Sequence, residues 1–231
     1  MKVAAITSLV NPKKPIELSY NTYFDDVDYF AYTCRSDNIS VDDKIKRIFI
    51  ESESWDEKYS ARRSAKIAKM MAHVLLPDYD VYVWHDATHE VVIPKEKVIE
   101  YVTDHDAAMF QHPQRNCVYL EAAVIAEDRL EHPDALLETV KYLKTRGLPI
   151  AYGLFEMTAF IRRNNEKCNK AFTLWHSMMS RLSSRDQLTF MECVRTFDLS
   201  MNTLPGTAQM YYGNNDIIKQ TKPSLRLRGV V

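Results

Sequence analysis

Glycine is scarce in this sequence, with five residues among 231. The phosphate-binding patterns GxxxxGKS/T and GxGxxG are absent, and so is the GxSxG turn that carries the nucleophile of α/β-hydrolases. The chain therefore lacks a P-loop, a Rossmann-type dinucleotide turn and a serine-hydrolase elbow. A glycine loop that cradles phosphate is not expected.

Cysteine pairs, excess charge and long apolar runs are also missing. The four cysteines form no CxxC pair, so zinc spacing is absent and we expect reduced thiols in the core rather than a disulfide scaffold. The net charge of -1 gives no global attraction to nucleic acid or to anionic membranes. No apolar run at the N-terminus is long enough for a signal peptide or a membrane anchor. We therefore expect a cytoplasmic protein, and the sequence leaves the oligomeric state open.

Strand-like and helix-like segments alternate through the first two thirds of the chain. Strands are predicted at 3–10, 29–33, 46–50, 81–84, 106–110 and 150–161, and loops at 16–27 and over the last 30 residues. Helices are predicted at 55–76, 94–101, around 119–125, and at 132–146, 164–181 and 184–197. This alternation predicts an α/β fold with a mainly parallel central sheet flanked by helices.

The strand that ends in His85 and Asp86 is the clearest candidate for a site. Ligands of open α/β sheets bind beyond the carboxyl ends of the strands, and a carboxylate there suits Mg²⁺ or Mn²⁺. Acidic residues also end strands as plain turn residues, so both interpretations stand. Side chains alternate along a strand, so His85 is predicted to point away from Asp86 and to be a hydrogen-bonded core residue.

A basic stripe runs along the predicted helix at 55–76. Its members fall on one narrow face at helical spacing: Lys58, Arg62, Lys66, Lys69 and His73. The stripe lacks the acidic partners four residues away that a solvated face commonly carries. It is either a solvated surface or a site for phosphate groups.

The start of the last predicted helix also has two interpretations. Ser184 followed by Gln187 has the spacing of a capping box. In that interpretation Asp186 only favours the first turn of its helix.

Several motifs, taken in order, resemble one known family. They are the basic helix ending in His73 and Pro77, the strand 79–87, His112-Pro-x-Arg115, Tyr119-x-Glu121-Ala122, Gly147-Leu-Pro149, Gly153-Leu-Phe-Glu156, Trp175, and Ser183 to Leu188. Their order resembles the glycosyltransferase-like domain family named for plant turgor-regulation and seed-mucilage proteins, which also occurs in bacteria and viruses. The match spans roughly residues 45 to 195.

The resemblance implies a GT-A-like nucleotide-sugar-binding sandwich in one domain, 1–231. Its halves would be a nucleotide-binding part, 1–110, and an acceptor and catalytic part, 111–200, followed by a tail, 201–231. The implied donor is a nucleotide sugar and the implied acceptor a glycan or glycoconjugate. Asp86 and Thr88 fall where the family's Asp-x-Asp motif would hold Mn²⁺ or Mg²⁺, with Thr88 in place of the second Asp.

The resemblance also suggests roles for other residues. Asp186 would bind sugar hydroxyls or act as general base, with Glu156 as the rival base, and inversion or retention stays open. The expected substrate-binding residues are Arg62, Arg63, Lys66, Lys69, His112, Arg115, Gly153, Arg185 and Gln187.

Two alternatives to a glycosyltransferase remain at this point. One is a non-catalytic module on the same fold that binds nucleotide sugars or glycans. The other is a metal-dependent phosphohydrolase in which Asp86 joins His85, His89 and His112. A nucleic acid acceptor is not indicated, since the net charge lends it no support.

Overall fold

A computed structural model describes residues 1–10, 12, 15–35, 38–50, 58–208 and 216–220. The strands are β1 (Val3–Leu9), β2 (Ile16–Leu18), β3 (Val27–Cys34), β4 (Ile39–Val41), β5 (Ile45–Ile50), β6 (Val81–His85), β7 (His89–Val91), β8 (Ala107–Gln111), β9 (Phe155–Arg163), β10 (Met201–Leu204) and β11 (Ile218–Gln220). The helices are α1 (Lys58–Leu75), α2 (Lys95–Tyr101), α3 (Val118–Glu127), α4 (Pro133–Thr145), α5 (Glu166–Arg181) and α6 (Gln187–Phe197). The predicted start of the first helix near Trp55 lies outside the described residues.

Seven of these strands form the central sheet, in the order β10-β8-β9-β6-β1-β3-β5. Only β9 runs antiparallel to its neighbours, β6 and β8, while the other pairs are parallel. The predicted α/β fold with a mainly parallel central sheet flanked by helices is confirmed. This arrangement brings the carboxyl ends of β6 and β8 and the amino end of β9 to one edge of the sheet.

The β6 strand lies in the centre of the core, and its five residues are all buried. Strand alternation directs Tyr82 and Trp84 toward α1 and α5. The guanidinium of Arg162 lies 4.6 Å from the Tyr82 ring, and the Lys69 ammonium lies 5.4 Å from the Trp84 ring. His85 points to the opposite face and is fully buried, with Nε2 3.4 Å from the hydroxyl of Tyr20. The prediction that His85 is a core residue is confirmed.

Local signals set several helix ends. The side chain of Asn165 accepts a hydrogen bond from the backbone of Cys168 and caps α5. The α4 helix is followed by Gly147 at φ 74°, as its sequence predicts. The predicted cap of α6 is wrong: Asp186, not Ser184, accepts the hydrogen bond from Gln187 N.

Other sequence predictions need correction. The predicted loop 16–27 contains β2, which pairs with β4. The predicted strand 150–161 starts only at Phe155, because Ala151 and Gly153 have φ values of 58° and 117° that no strand tolerates. The last part of the chain contains β10 and β11. All four cysteines are buried thiols, as expected, and no helix of the described residues is long and apolar enough to cross a membrane.

Candidate functional site

Asp86 stands at the carboxyl end of β6, as the sequence predicts. Its backbone N–H donates to Thr158 O at 2.8 Å, and its carbonyl accepts from His89 N at 2.9 Å, which closes a tight turn. Oδ1 accepts from Trp84 Nε1 at 3.2 Å. Oδ2 has no hydrogen-bond partner among the described residues. Burial raises the pKa of Asp86, the neighbouring Asp186 adds to that effect, and Lys66 and Lys69 oppose it.

Thr88 lies in the same turn but is engaged locally. Its hydroxyl is 3.0 Å from Nδ1 of His89. The histidine cluster of the phosphohydrolase hypothesis is not formed, since His85 faces away and His112 belongs to a different group. The described part of the chain contains no group of three or more His, Cys, Asp or Glu side chains that could hold a metal ion.

Asp186 is clamped by two lysines of α1. Lys66 Nζ lies 2.8 Å from Oδ1 and Lys69 Nζ lies 2.6 Å from Oδ2. Trp175 Nε1 donates to the Asp186 carbonyl at 2.8 Å. Burial by itself raises the pKa of this carboxyl, but the two ammonium groups reverse the effect and hold it well below its usual range. Burial lowers the pKa of Lys66 to about 8, against the pull of Asp186.

Three members of the basic stripe, Lys66, Lys69 and His73, are bonded within the protein rather than solvated, and the side chain of Lys58 lies outside the described residues. Lys66 also donates to Ser184 O at 2.8 Å, and Lys69 to Met157 O at 2.5 Å. His73 Nε2 lies 3.2 Å from the hydroxyl of Thr173 on α5. Lys66, Lys69 and His73 thus face α5 and the start of α6, and the acidic partner of Lys69 lies 117 positions downstream rather than in the same helix.

The side chain of Arg63 is also hydrogen-bonded within the protein. Its Nε donates to Met179 O at 3.2 Å and its Nη2 to Leu182 O at 2.8 Å. Both are main-chain carbonyls at the end of α5. In this structure Arg63 ties two helices together, and its predicted contact with substrate phosphate would require these bonds to break.

Sequence reasoning missed Glu131, which organises the residues before Asp186. Its Oε2 accepts from Ser183 Oγ at 3.1 Å, Ser184 N at 2.7 Å and Ser184 Oγ at 2.5 Å, while Oε1 accepts from His132 N at 3.0 Å. These donors hold the pKa of Glu131 low despite its burial. No motif in the sequence marks this residue, and its burial, at 5% exposure, is visible only in the structure.

His112 and Arg115 meet as predicted, at the carboxyl end of β8. Arg115 Nε donates to Glu121 Oε2 at 2.5 Å, and Arg115 Nη2 is 3.2 Å from His112 Nε2. The backbone N–H of Arg115 donates to His112 Nδ1 at 3.0 Å. Burial lowers the pKa of His112, and Glu121 opposes that effect. This group is a second polar cluster on the same edge of the sheet.

Three further predicted residues, Gly153, Glu156 and Gln187, lie at the amino end of β9. Gln187 Nε2 donates to Phe155 O at 2.7 Å. Glu156 is buried, and its carboxylate accepts from the Thr207 hydroxyl at 2.9 Å and from Ala208 N at 2.5 Å. A Cβ on Gly153 would come within 3.3 Å of Met191 Cε, so the close approach at this glycine is to the protein itself.

A surface groove of about 790 Å³ lies elsewhere, along the outer face of α5. It is lined by Glu166, Asn169, Lys170, Thr173, Leu174, Ser177 and Phe197. It shares no residue with either polar cluster. The chemistry-bearing residues at the sheet edge are therefore the better candidate site.

Comparison with protein families matches residues 24–215 to the TOD1/MUCI70 glycosyltransferase-like domain. The chain belongs to this family. The resemblance seen in the motifs is thus confirmed, and the TOD1/MUCI70 match contains Asp86, Asp186 and both polar clusters. No curated protein sequence matches the chain.

Two solved structures are similar to this TOD1/MUCI70 domain. The apo structure of the bifunctional glycosyltransferase WbbM aligns with a TM-score of 0.48 and 9% identity, over 88% of this chain and 38% of WbbM. A glycosyltransferase involved in glycosylation of the major capsid of PBCV-1 aligns with a TM-score of 0.40 and 11% identity, over 70% of this chain and 67% of that protein. The chain thus spans well under half the length of WbbM.

Proposed function

We propose that this domain transfers a hexose or pentose from a nucleotide-diphosphate sugar to a hydroxyl group of a glycan or glycoconjugate. The observation that carries the proposal is the placement of Asp86. Its Oδ2 is open at the carboxyl end of β6, beside the lysine-clamped Asp186, in a chain of a glycosyltransferase-like family. A ligand at this edge of the sheet would meet both carboxylates.

Mn²⁺ or Mg²⁺ fits this site as an ion that arrives with the donor. Mg²⁺ is commonly held by one or two carboxylates together with substrate phosphates and water, and Asp86 supplies one such carboxylate. No other acidic or histidine side chain completes a preformed cage within the described part of the chain. The bound ion would neutralise the diphosphate as the glycosidic bond breaks. We assign Thr88 to the turn that orients Asp86.

Asp186 is better suited to bind sugar hydroxyls than to remove a proton. A general base works best with a pKa near the operating pH, and two lysines hold the pKa of Asp186 far below that. An ionised carboxylate is a strong acceptor for hydroxyl groups. Glu156 accepts hydrogen bonds from the segment that follows β10, and we assign it to positioning that segment rather than to proton transfer.

The Asp86→Asn variant tests the proposal. We expect its donor hydrolysis and sugar transfer to fall by about 100-fold or more, measured with a panel of nucleotide sugars in the presence of Mn²⁺. The Asp78→Asn variant, at an exposed position after α1, should keep normal activity. Isothermal titration should show Mn²⁺ binding to the wild type only when a nucleoside diphosphate is present. Normal turnover by the Asp86→Asn variant would exclude this assignment.

A binding module without turnover is the second candidate function. The observation that favours it is that Asp186 and Glu156 already accept several hydrogen bonds within the protein. Tight binding of a nucleotide sugar with no hydrolysis or transfer across the panel would select the module over the enzyme.

A further inference from the structure

Two arginines that are far apart in the sequence, one on α1 and one just before α6, converge on one carbonyl oxygen. Arg62 Nη1 lies 3.3 Å from Leu130 O, and Arg185 Nη2 lies 3.2 Å from the same atom. Arg62 Nη1 also donates to Ser184 Oγ at 3.1 Å. Like charges placed together need a compensating negative group.

The surrounding described residues supply only part of that compensation. The cations are Arg62, Lys66, Lys69 and Arg185, and the carboxylates are Glu131, Asp186, Asp86 and Glu121, the last of which is paired with Arg115. Both oxygens of Asp186 are taken by lysines, and Glu131 Oε2 is taken by the serines. Among the described residues, no carboxylate forms an ion pair with the guanidinium of Arg185, whose side chain bonds only to Leu130 O.

Arg185 has unused hydrogen-bonding capacity. Its Nε is buried and has no partner within the described ranges. Its Nη2 bond to Leu130 O is its only side-chain hydrogen bond to a described residue. A buried polar group without a partner costs free energy comparable to a lost hydrogen bond. That cost is accounted for if a ligand contacts the guanidinium during function.

We infer that Arg62 and Arg185 form a subsite for an anionic group, a phosphate or a carboxylate, carried by one of the two substrates. The identity of the substrates rests on the proposed function. A phosphate would come from the donor diphosphate, whereas a carboxylate would come from an acidic sugar of the acceptor. Paired guanidinium groups match the planar oxygen arrays of both.

The test is isothermal titration of the full chain with inorganic pyrophosphate and, separately, with glucuronate. We expect the wild type to bind one of them, and the Arg185→Gln variant to bind it about tenfold to hundredfold more weakly. Arg185→Lys keeps the charge but lacks the planar guanidinium, so its affinity should lie between those of the wild type and Arg185→Gln. Arg181→Gln, at an exposed arginine that ends α5, is the matched control and should bind like the wild type.

Selective loss of pyrophosphate binding would assign the subsite to the donor, and selective loss of glucuronate binding to the acceptor. If the wild type binds neither anion, or if Arg185→Gln and Arg62→Gln both bind as tightly as the wild type, the inference is wrong. Thermal unfolding of each variant verifies its fold, and Arg62→Gln serves if Arg185→Gln is unstable. These titrations contain no nucleotide sugar. A failure of this inference would therefore be observed separately from a failure of the proposed sugar transfer.

Discussion

The side chain of Asp186 shows, in a single residue, how burial and ion pairing oppose each other. Taking a carboxylate out of water is costly, and its attraction to two ammonium groups repays that cost only while all three are present. Lys66 and Lys69 are equally dependent on it, since Lys69 is 3% exposed. Removal of one member leaves charge in the interior without compensation.

We therefore expect Asp186→Asn to lower the free energy of unfolding by about 3–5 kcal/mol at neutral pH. The folded-state pKa of Asp186 is depressed, so its contribution is complete above the unfolded pKa of about 3.9 and is lost as the pH falls below it. The difference between wild type and variant should shrink below about pH 4. Urea unfolding between pH 3 and pH 7 measures it, with the pH values set around that pKa.

Asp28→Asn is the matched control for that prediction. Asp28 pairs with Lys46 on the surface, where the two side chains are 43% and 61% exposed. Its loss should cost less than about 1 kcal/mol. Equal losses of unfolding free energy in Asp186→Asn and Asp28→Asn would show that the buried ion pairs stabilise the fold no more than the surface pair does.

Individual site residues differ in how far the sequence reveals them. Asp86 is recognisable because a buried strand precedes it and strand ends in such sheets bind ligands. Glu131 is not recognisable, because the serines that donate to it lie 52 and 53 positions downstream and no local motif links them. The sequence leaves the role of Lys66 ambiguous for the same reason, since its acidic partner, Asp186, stands at the start of a distant helix.

At the scale of elements, the connection between α5 and α6 is held mainly by side chains that belong to neither helix. Glu131, just before α4, receives the hydroxyl groups and a backbone N–H of Ser183 and Ser184. Ser184 then presents its carbonyl to Lys66 and its hydroxyl to Arg62. One carboxylate thus positions the residues that deliver Asp186 to the site.

Glu131→Ala should leave these donors without their partner and lower the free energy of unfolding by about 1–3 kcal/mol. It should also reduce kcat for sugar transfer, because Asp186 and Lys66 lose their alignment. Glu131→Gln keeps an acceptor oxygen and should restore part of kcat. Glu138→Ala, at an exposed site on α4, should change neither quantity. A stability loss with unchanged kcat would limit Glu131 to a structural role.

Most main-sheet strands and the six helices of the described residues follow from periodicity and end signals in the sequence, with boundaries shifted by a few residues. The β2 strand was missed because it has three residues and is held by pairing with β4, which no local pattern shows. The predicted strand at 150–161 began too early because positive φ at Ala151 is set by the fold around it. Long-range pairing, rather than local preference, decided both cases.

At the scale of the whole molecule, a segment late in the chain, residues 216–220, lies next to the candidate site. The β11 strand pairs with β7, directly after the turn of Asp86, and Val92 N donates to Ile217 O at 2.9 Å. Ile218 is fully buried in this contact. Residues 216–220 therefore support the turn that orients Asp86.

Ile218→Ala should lower the free energy of unfolding by about 2–5 kcal/mol, because truncation of a fully buried side chain leaves a cavity. Hydrogen exchange should show a loss of protection at the amide of Val92, and donor hydrolysis should slow with it. Lys219→Ala, the exposed neighbour in β11, should leave both unchanged. Full protection of Val92 in Ile218→Ala would contradict the proposed support.

The position of β9 also sets an order for synthesis of the chain. On a ribosome, β1, β3, β5 and β6 can pair as soon as they emerge, but β8 reaches them only through β9, which is made later. Until β9 has emerged from the ribosome, β6 presents an edge of unpaired backbone groups, the kind of surface that recruits other strands. A nascent chain stalled before that point would therefore be a client for chaperones, and completion of β9 would release it.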